Sequence, residues 1–333
     1  MELRQLRYLV MLAEERHFTR AARRVGIAQP ALSQQISRLE TEVGLKLVER
    51  TTRSVTLTAA GETLVAGARH ALRVVEDTQS ELEALRGVRA GRIVLGVTRT
   101  PGAVDVAATL ADFHAAYPSV ELDVREELSV DLLQMLAANE LDVALIADGV
   151  PSPPATIEAR IVASEPLVVI AAPTHRFADR SAVPFSDLDG ERIVGFRRGA
   201  TIRRQMDDRA ALEGMQLRVA FETADAQRAR ALVAHGLAVG VLPTSDARAP
   251  GPAVAEVPLG GAPLLHRTAV AIRRDRHRTP AVEAFIGVLD GRHAGPGVPI
   301  SPPGSRRRPA GSGRPADRPP PAGSGSPGRA SRR

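Results

Sequence analysis

Apolar side chains recur along this chain in successive, distinct rhythms. From residue 2 to residue 16 they fall at Leu3, Leu6, Leu9, Val10 and Ala13, the one-sided stripe of an amphipathic helix. From Phe18 to Glu42 the stripe takes Ala21, Ala22 and Val25, breaks at Gly26, and resumes at Leu32, Ile36, Leu39 and Val43. That spacing predicts two short helices joined by a tight turn, with Thr19 as the N-cap of the first, Gly26 in the corner and Pro30 in the first turn of the second. Leu45, Leu47 and Val48 then lead into a basic turn at 50–53, after which Val55 and Leu57 alternate with Ser54 and Thr56. This is the pattern of a small two-stranded wing with arginines at its tip.

After Thr58, a suitable N-cap, Leu64, Ala68, Ala71, Val75, Thr78, Leu82 and Leu85 follow at intervals of four and three. So narrow a seam on an Arg/Glu-rich helix predicts pairing with a second copy of itself more naturally than filling of a globular core. Beyond a hinge at 87–91 the rhythm changes to strands alternating with helices. Strands are predicted at 93–97, 120–124, 143–146, 167–171, 193–195, 218–221, 239–242 and 268–272. Helices are predicted at 103–115, 130–138, 202–212, 226–234 and 281–289. Such alternation implies a mostly parallel sheet covered on both faces, in two lobes of similar size.

Charge divides the chain in the same way. The net charge of +6 separates into +4 over residues 1–58, −6 over 59–291 and +8 over 292–333. A basic footprint for nucleic acid therefore belongs to the N-terminal segment, and the acidic middle is a poor partner for DNA. The last 42 residues hold 18 Pro and Gly and almost no apolar side chain, which predicts a disordered tail. There is no cysteine, so disulfides, thiolate metal sites and cysteine-based peroxide sensing are excluded. No run of some 18 apolar residues and no signal-peptide pattern occur, which predicts a cytoplasmic protein. Gly-rich phosphate loops and His-Glu-x-x-His are absent and the eight histidines lack ligand spacing, so neither an enzyme, a cofactor nor a metal is expected.

With Leu32, Ile36 and Leu39 turned inward, Gln29, Ser33, Gln34, Ser37 and Arg38 lie on or beside the opposite helix face. Such a face offers donors and acceptors without carboxylates, as a helix reading base edges in a major groove does. Residue types alone leave an ordinary solvated helix pair equally open. The surrounding sequence is more specific. LRQLRYLVMLAEERHFTRAA, AQPALSQQISRLETEVGLKLVER and TRSVTLTAAG stand in the order and spacing of the N-terminal domain of LysR-type transcriptional regulators, which this chain resembles over residues 1 to about 65. LDVALI at 141–146, EPLVVIAAPTHRFA at 165–178 and LVAHGLAVGVLP at 232–243 resemble landmarks of the same family's effector domain.

The resemblance implies an α+β N-terminal winged helix-turn-helix over 1–58 and a long dimerising linker helix over 59–88. It further implies an α/β two-lobed, periplasmic-binding-protein-like effector domain over 89–291, with lobe I at 91–160 and 268–291 and lobe II at 161–267. The tail, 292–333, departs from the family pattern. Carried over residue by residue, the DNA contacts fall on Gln29, Pro30, Ser33, Gln34, Arg38, Arg50 and Arg53. The effector contacts fall on Thr98, Arg99, Thr100, Ser129, Phe196, Arg197, Thr201 and Thr223. The dimer seam falls on Leu64, Ala68, Ala71, Val75, Leu82 and Leu85. Ala28 stands where many members carry a capping Ser or Thr. Implied partners are double-stranded operator DNA, a small-molecule effector, a second or further copies in a dimer or tetramer, and RNA polymerase. Strand ends and helix starts that carry hydroxyls favour an anionic or carboxylate effector. The two lobes alone would also suit a cytoplasmic solute-binding protein, which would have no use for a wing or a heptad helix.

Overall fold

The computed structural model describes residues 1–50, 55–85, 91–151 and 153–293. The expectations for Arg53, for most of the hinge and for the tail beyond 293 lie outside the described residues.

Helices α1 (Leu3–Glu15), α2 (Phe18–Arg24) and α3 (Gln29–Val43) precede strands β1 (Val48–Arg50) and β2 (Val55–Leu57), which pair antiparallel as the wing. Leu9, Leu12, Leu32, Ile36, Leu39 and Leu47 are fully buried in one core, so the apolar stripe of α3 is turned inward as far as Leu39, while Val43 at its end is exposed. The turn between α2 and α3 has Gly26 at φ +70°, the left-handed conformation for which its position calls. The cap of α2 is not Thr19: that helix starts earlier, and His17 Nδ1 accepts the Thr19 N–H at 3.2 Å. Ala28 caps α3 with no side-chain bond. The want of an oxygen there costs little, because Pro30 has no N–H to satisfy and Ala31 and Leu32 both donate to the Ala28 carbonyl.

The wing is pinned to α3 by Glu40, a buried carboxylate that accepts from Leu47 N at 3.0 Å, Val48 N at 3.3 Å and Lys46 Nζ at 2.9 Å. Burial pushes this carboxyl up, but the lysine and the two N–H groups outweigh it and hold it below the ordinary glutamate range. Thr58 Oγ accepts the Gly61 N–H at 3.0 Å and starts helix α4 (Ala59–Leu85). At Gly61 a Cβ would run into the Leu47 carbonyl, so this helix can lie against the wing only with glycine there.

The first half of the heptad seam is partly occupied within the chain itself. Ala68 is buried with Leu6 and Leu72, and Leu64, Ala71 and Val10 pack on the same cluster, so α1 covers this stretch. That corrects the expectation of one seam open from Leu64 to Leu85. Val75 is half-buried and Leu82 is exposed.

The remaining chain builds a nine-stranded sheet. Its elements are β3 (Gly91–Thr98), α5 (Val106–Ala116), β4 (Val120–Glu127), α6 (Ser129–Ala137), β5 (Val143–Ala147), β6 (Ile157–Ala171), β7 (Arg192–Phe196), α7 (Thr201–Leu212), β8 (Arg218–Thr223), α8 (Ala226–Ala234), β9 (Val239–Pro243), α9 (Thr244–Arg248), β10 (Ala255–Pro258), β11 (Leu265–Arg273) and α10 (Pro280–Arg292). Strand order is β4-β3-β5-β11-β6-β9-β7-β8, with β10 paired to β6. The mostly parallel expectation needs correction. Each lobe has a parallel core, β4-β3-β5 in one and β9-β7-β8 in the other, but β11 and β6 are antiparallel to each other and to these neighbours. β6 is a single 15-residue strand, not the five residues expected from 167 onward. Its first part pairs with β11 and its last part with β9 and β10, and the β6–β11 register shifts at Thr268/Ala269. Two apolar clusters on the first lobe and one on the second cover the sheet.

Candidate functional site

On α3, Gln29, Pro30, Gln34 and Arg38 are exposed and Ser33 is half-buried, all on the side away from the Leu32–Ile36–Leu39 stripe. Arg50 ends β1, and its backbone pairs with Val55 across the wing. The structure thus puts the polar face of α3 and the wing strands on one compact unit.

The second site lies where the parallel strands of the two lobes end. One crevice, about 410 Å3 including its open mouth, is lined by Thr98, Arg99, Thr100, Ser129, Phe196, Arg197 and Thr201, seven of the eight residues carried over for an effector. Thr98 closes β3. Ser129 opens α6, and its Oγ donates to Thr98 Oγ1 at 3.2 Å while accepting the Ala147 N–H at 2.9 Å. One hydroxyl therefore joins the ends of β3 and β5 to a helix start. Thr201 opens α7 from the other lobe. Both helices begin without a capping side chain, since Leu128 and Ala200 occupy those positions and make no side-chain bond. First-turn N–H groups left by a side chain are what an anion at a helix start uses. Arg197 is exposed at the mouth, and Arg99 Nη2 stands 3.8 Å from Glu127 Oε2, so part of its charge is already answered.

Thr223, the eighth residue, does not line the crevice. Its hydroxyl is taken up in the turn into α8, where it accepts the Asp225 N–H at 3.1 Å, and Ala224 lines the crevice instead. Sequence reasoning also missed the apolar lining (Leu128, Ala147, Ile202) and His266, which comes from β11. Arg203 was missed as well: its guanidinium, nearly buried behind the crevice, donates to the Phe196 carbonyl at 3.2 Å and pairs with Glu222 and Asp207. Burial lowers its proton affinity, yet the two carboxylates outweigh burial and raise it. Among the described residues no group of His, Asp or Glu is arranged to hold a metal, and no helix is long and apolar enough to cross a membrane.

Residues 3–62 match the profile of the bacterial regulatory helix-turn-helix proteins of the LysR family, and residues 86–294 match the LysR substrate binding domain. The chain belongs to the LysR family. It is a LysR-type transcriptional regulator, built from a helix-turn-helix and an effector-binding substrate domain. Among similar LysR-family proteins, the uncharacterized HTH-type transcriptional regulator YnfL of Escherichia coli (strain K12) is 36% identical over 250 residues, covering 74% of this chain and 84% of that one. The DNA-binding transcriptional dual regulator OxyR of the same organism is 33% identical over 243 residues, covering 73% and 79%. Full-length OxyR of Pseudomonas aeruginosa, solved as a cysteine-to-aspartate variant, superposes with TM-score 0.68 at 27% identity, covering 87% of this chain and 95% of that one. The LysR-family regulator CbnR shares the fold, with TM-score 0.65 at 23% identity over 88% and 99% of the two chains.

Proposed function

We propose that this LysR-family chain binds double-stranded operator DNA through Gln29, Pro30, Ser33, Gln34 and Arg38 of α3, with Arg50 and Arg53 of the wing on phosphates, and that a small anionic effector in the lobe crevice changes that contact. The working units are residues 1–58 for DNA, 59–88 for pairing and 89–291 for the effector, with the lobes divided near 160 and 268. The protein acts in the cytoplasm as a homodimer or homotetramer, meets RNA polymerase at the promoter, and catalyses no reaction.

One observation carries the reading. Residues scattered from Thr98 to Thr201 converge on a single crevice between two uncapped helix starts, in a chain whose other end presents a carboxylate-free polar helix face. The DNA arm has further support from OxyR of Escherichia coli, whose name describes it as DNA-binding. Occupancy changes DNA contact only if the ligand prefers one lobe arrangement, since equal affinity for both shifts nothing. The test is DNase footprinting of the full chain on the promoter region of its own gene, across a panel of small carboxylates. An acid that alters the footprint for the native chain and not for Ser129→Ala supports the proposal; acids that act equally on both place the effector elsewhere.

A further inference from the structure

His266 is 2% exposed, and its environment fixes which ring nitrogen carries hydrogen. Nε2 lies 2.9 Å from the Thr100 carbonyl oxygen. A carbonyl can only accept, so Nε2 is the protonated nitrogen. Burial lowers the proton affinity of the ring, more than the Thr100 carbonyl and then Glu165 raise it, and favours the neutral form. Nδ1 is then a bare acceptor. It is buried and has no hydrogen-bond partner among the described residues. The Nε2–Cδ2 edge is turned onto the loop after β3, with Cδ2 against Gly102 on the side where Glu165 also lies. Nδ1, shut off from solvent and unpartnered among the described residues, is the one ring nitrogen with a hydrogen bond still to make. His266 lines the crevice together with Thr98, Thr100, Ser129 and Thr201.

We propose that Nδ1 of His266 accepts a hydrogen bond from the effector, so that the crevice selects a small carboxylate bearing a hydroxyl group over the same acid without one. The inference rests on the crevice being the effector site. The carboxylate faces the open starts of α6 and α7, and the hydroxyl reaches inward to the imidazole. A buried acceptor with no donor destabilises the empty state, and a ligand that supplies the donor removes that penalty, whereas the unhydroxylated acid leaves it in place. An ammonium group would be a donor too, but among the described residues no Asp or Glu lines the crevice to balance it, while Arg99 and Arg197 stand at its mouth. Hydroxy acids are therefore favoured over amino acids.

Calorimetry on the full chain tests this with matched pairs: malate and succinate, 2-hydroxyglutarate and glutarate, lactate and propionate, salicylate and benzoate. In the pair that fits, the hydroxy acid is expected to bind about tenfold more tightly. His266→Phe should bring the two members level, and His266→Gln, which retains a donor and an acceptor, should restore part of the preference. A readout independent of variant folding is 15N NMR of the native histidines, in which the resonance of an unprotonated, buried Nδ1 should move on adding the hydroxy acid and stay still with its partner. Equal binding within every pair, a preference that survives His266→Phe, or binding by no member overturns the inference. Acids that bind without a hydroxyl preference yet weaken in Ser129→Ala sink only this inference; acids indifferent to Ser129→Ala and Thr201→Val sink the crevice itself.

Discussion

Asp246, near the start of α9, is a carboxylate in an unfavourable place. Burial, then Glu165, then Asp225 push its pKa from 3.8 up to about 6. Glu165 is held against the same turn by hydrogen bonds from Ser245 N and Oγ, each at 2.7 Å. A carboxyl raised in the folded state favours folding below its unfolded value near 4, and that contribution is lost as pH rises through about 6. Asp246→Asn is therefore expected to leave stability unchanged at pH 4 and to raise it by roughly 2–3 kcal/mol at pH 8, read by thermal unfolding at both values. On α3, Gln34→Ala should cost roughly 1–3 kcal/mol on the cognate site and little on unrelated DNA, whereas Arg53→Ala should weaken both and lower the salt slope by about one. A shift assay in which Gln34→Ala weakened all sequences alike would remove Gln34 from base reading. The hydroxyls at Thr98, Ser129 and Thr201 were legible because the family resemblance carried them over, and the hydrophobic pattern put each at a strand end or a helix start. His266 was not, because it reaches the crevice from a strand more than 160 residues from Thr100, a contact that no local period encodes.

At the scale of elements, the wing and α3 behave as one piece because Glu40 joins them. Glu40→Gln keeps an acceptor but loses the Lys46 pair, and should lower the stability of the N-terminal unit by on the order of 1 kcal/mol at pH 7, with the exposed lysine discounting the pair. The carboxyl is lowered in the folded state, so its contribution is present above pH 4.5 and disappears as pH falls through the lower folded value. The difference between Glu40→Gln and the native chain in urea titrations should accordingly close under acid conditions. Helix α4 packs on α1 over its first part, which leaves the rest of the seam for the proposed pairing. Leu82, 55% exposed, lies beyond the stretch that α1 covers, and Leu82→Glu is expected to yield a monomer in sedimentation with both domains folded. A mutant that still dimerised would move the interface elsewhere. The helices from α5 to α8 were readable to within a few residues, since each carries its own apolar stripe. The first half of β6, together with α9 and β10, was not. Residues 157–166 mix exposed and buried positions without a period because that strand passes from one lobe to the other, and its burial follows its changing neighbours.

At the scale of the whole molecule, relatives named as hydrogen peroxide-inducible genes activators are about a third identical to this chain over 79% of their length, yet the chain has no thiol. No signal can be written into a cysteine here, and the lobe crevice offers a place to bind one. The two strands behind that crevice have a further consequence. β11 completes the sheet of the first lobe by pairing with both β5 and β6, although it follows β6 by about a hundred residues, with the whole second lobe in between. The first lobe therefore cannot be finished as it leaves the ribosome; it must wait, with one edge of β5 and one of β6 unpaired, until the second lobe has been made. Chains stalled before residue 265 should be cut by protease throughout 91–260, and chains carried past residue 293 should become resistant across both lobes in one step. Protection of the first lobe in the shorter chains would show that β11 is a late ornament. Otherwise the strand synthesised nearly last is the clasp on which the order of birth of the whole effector domain depends.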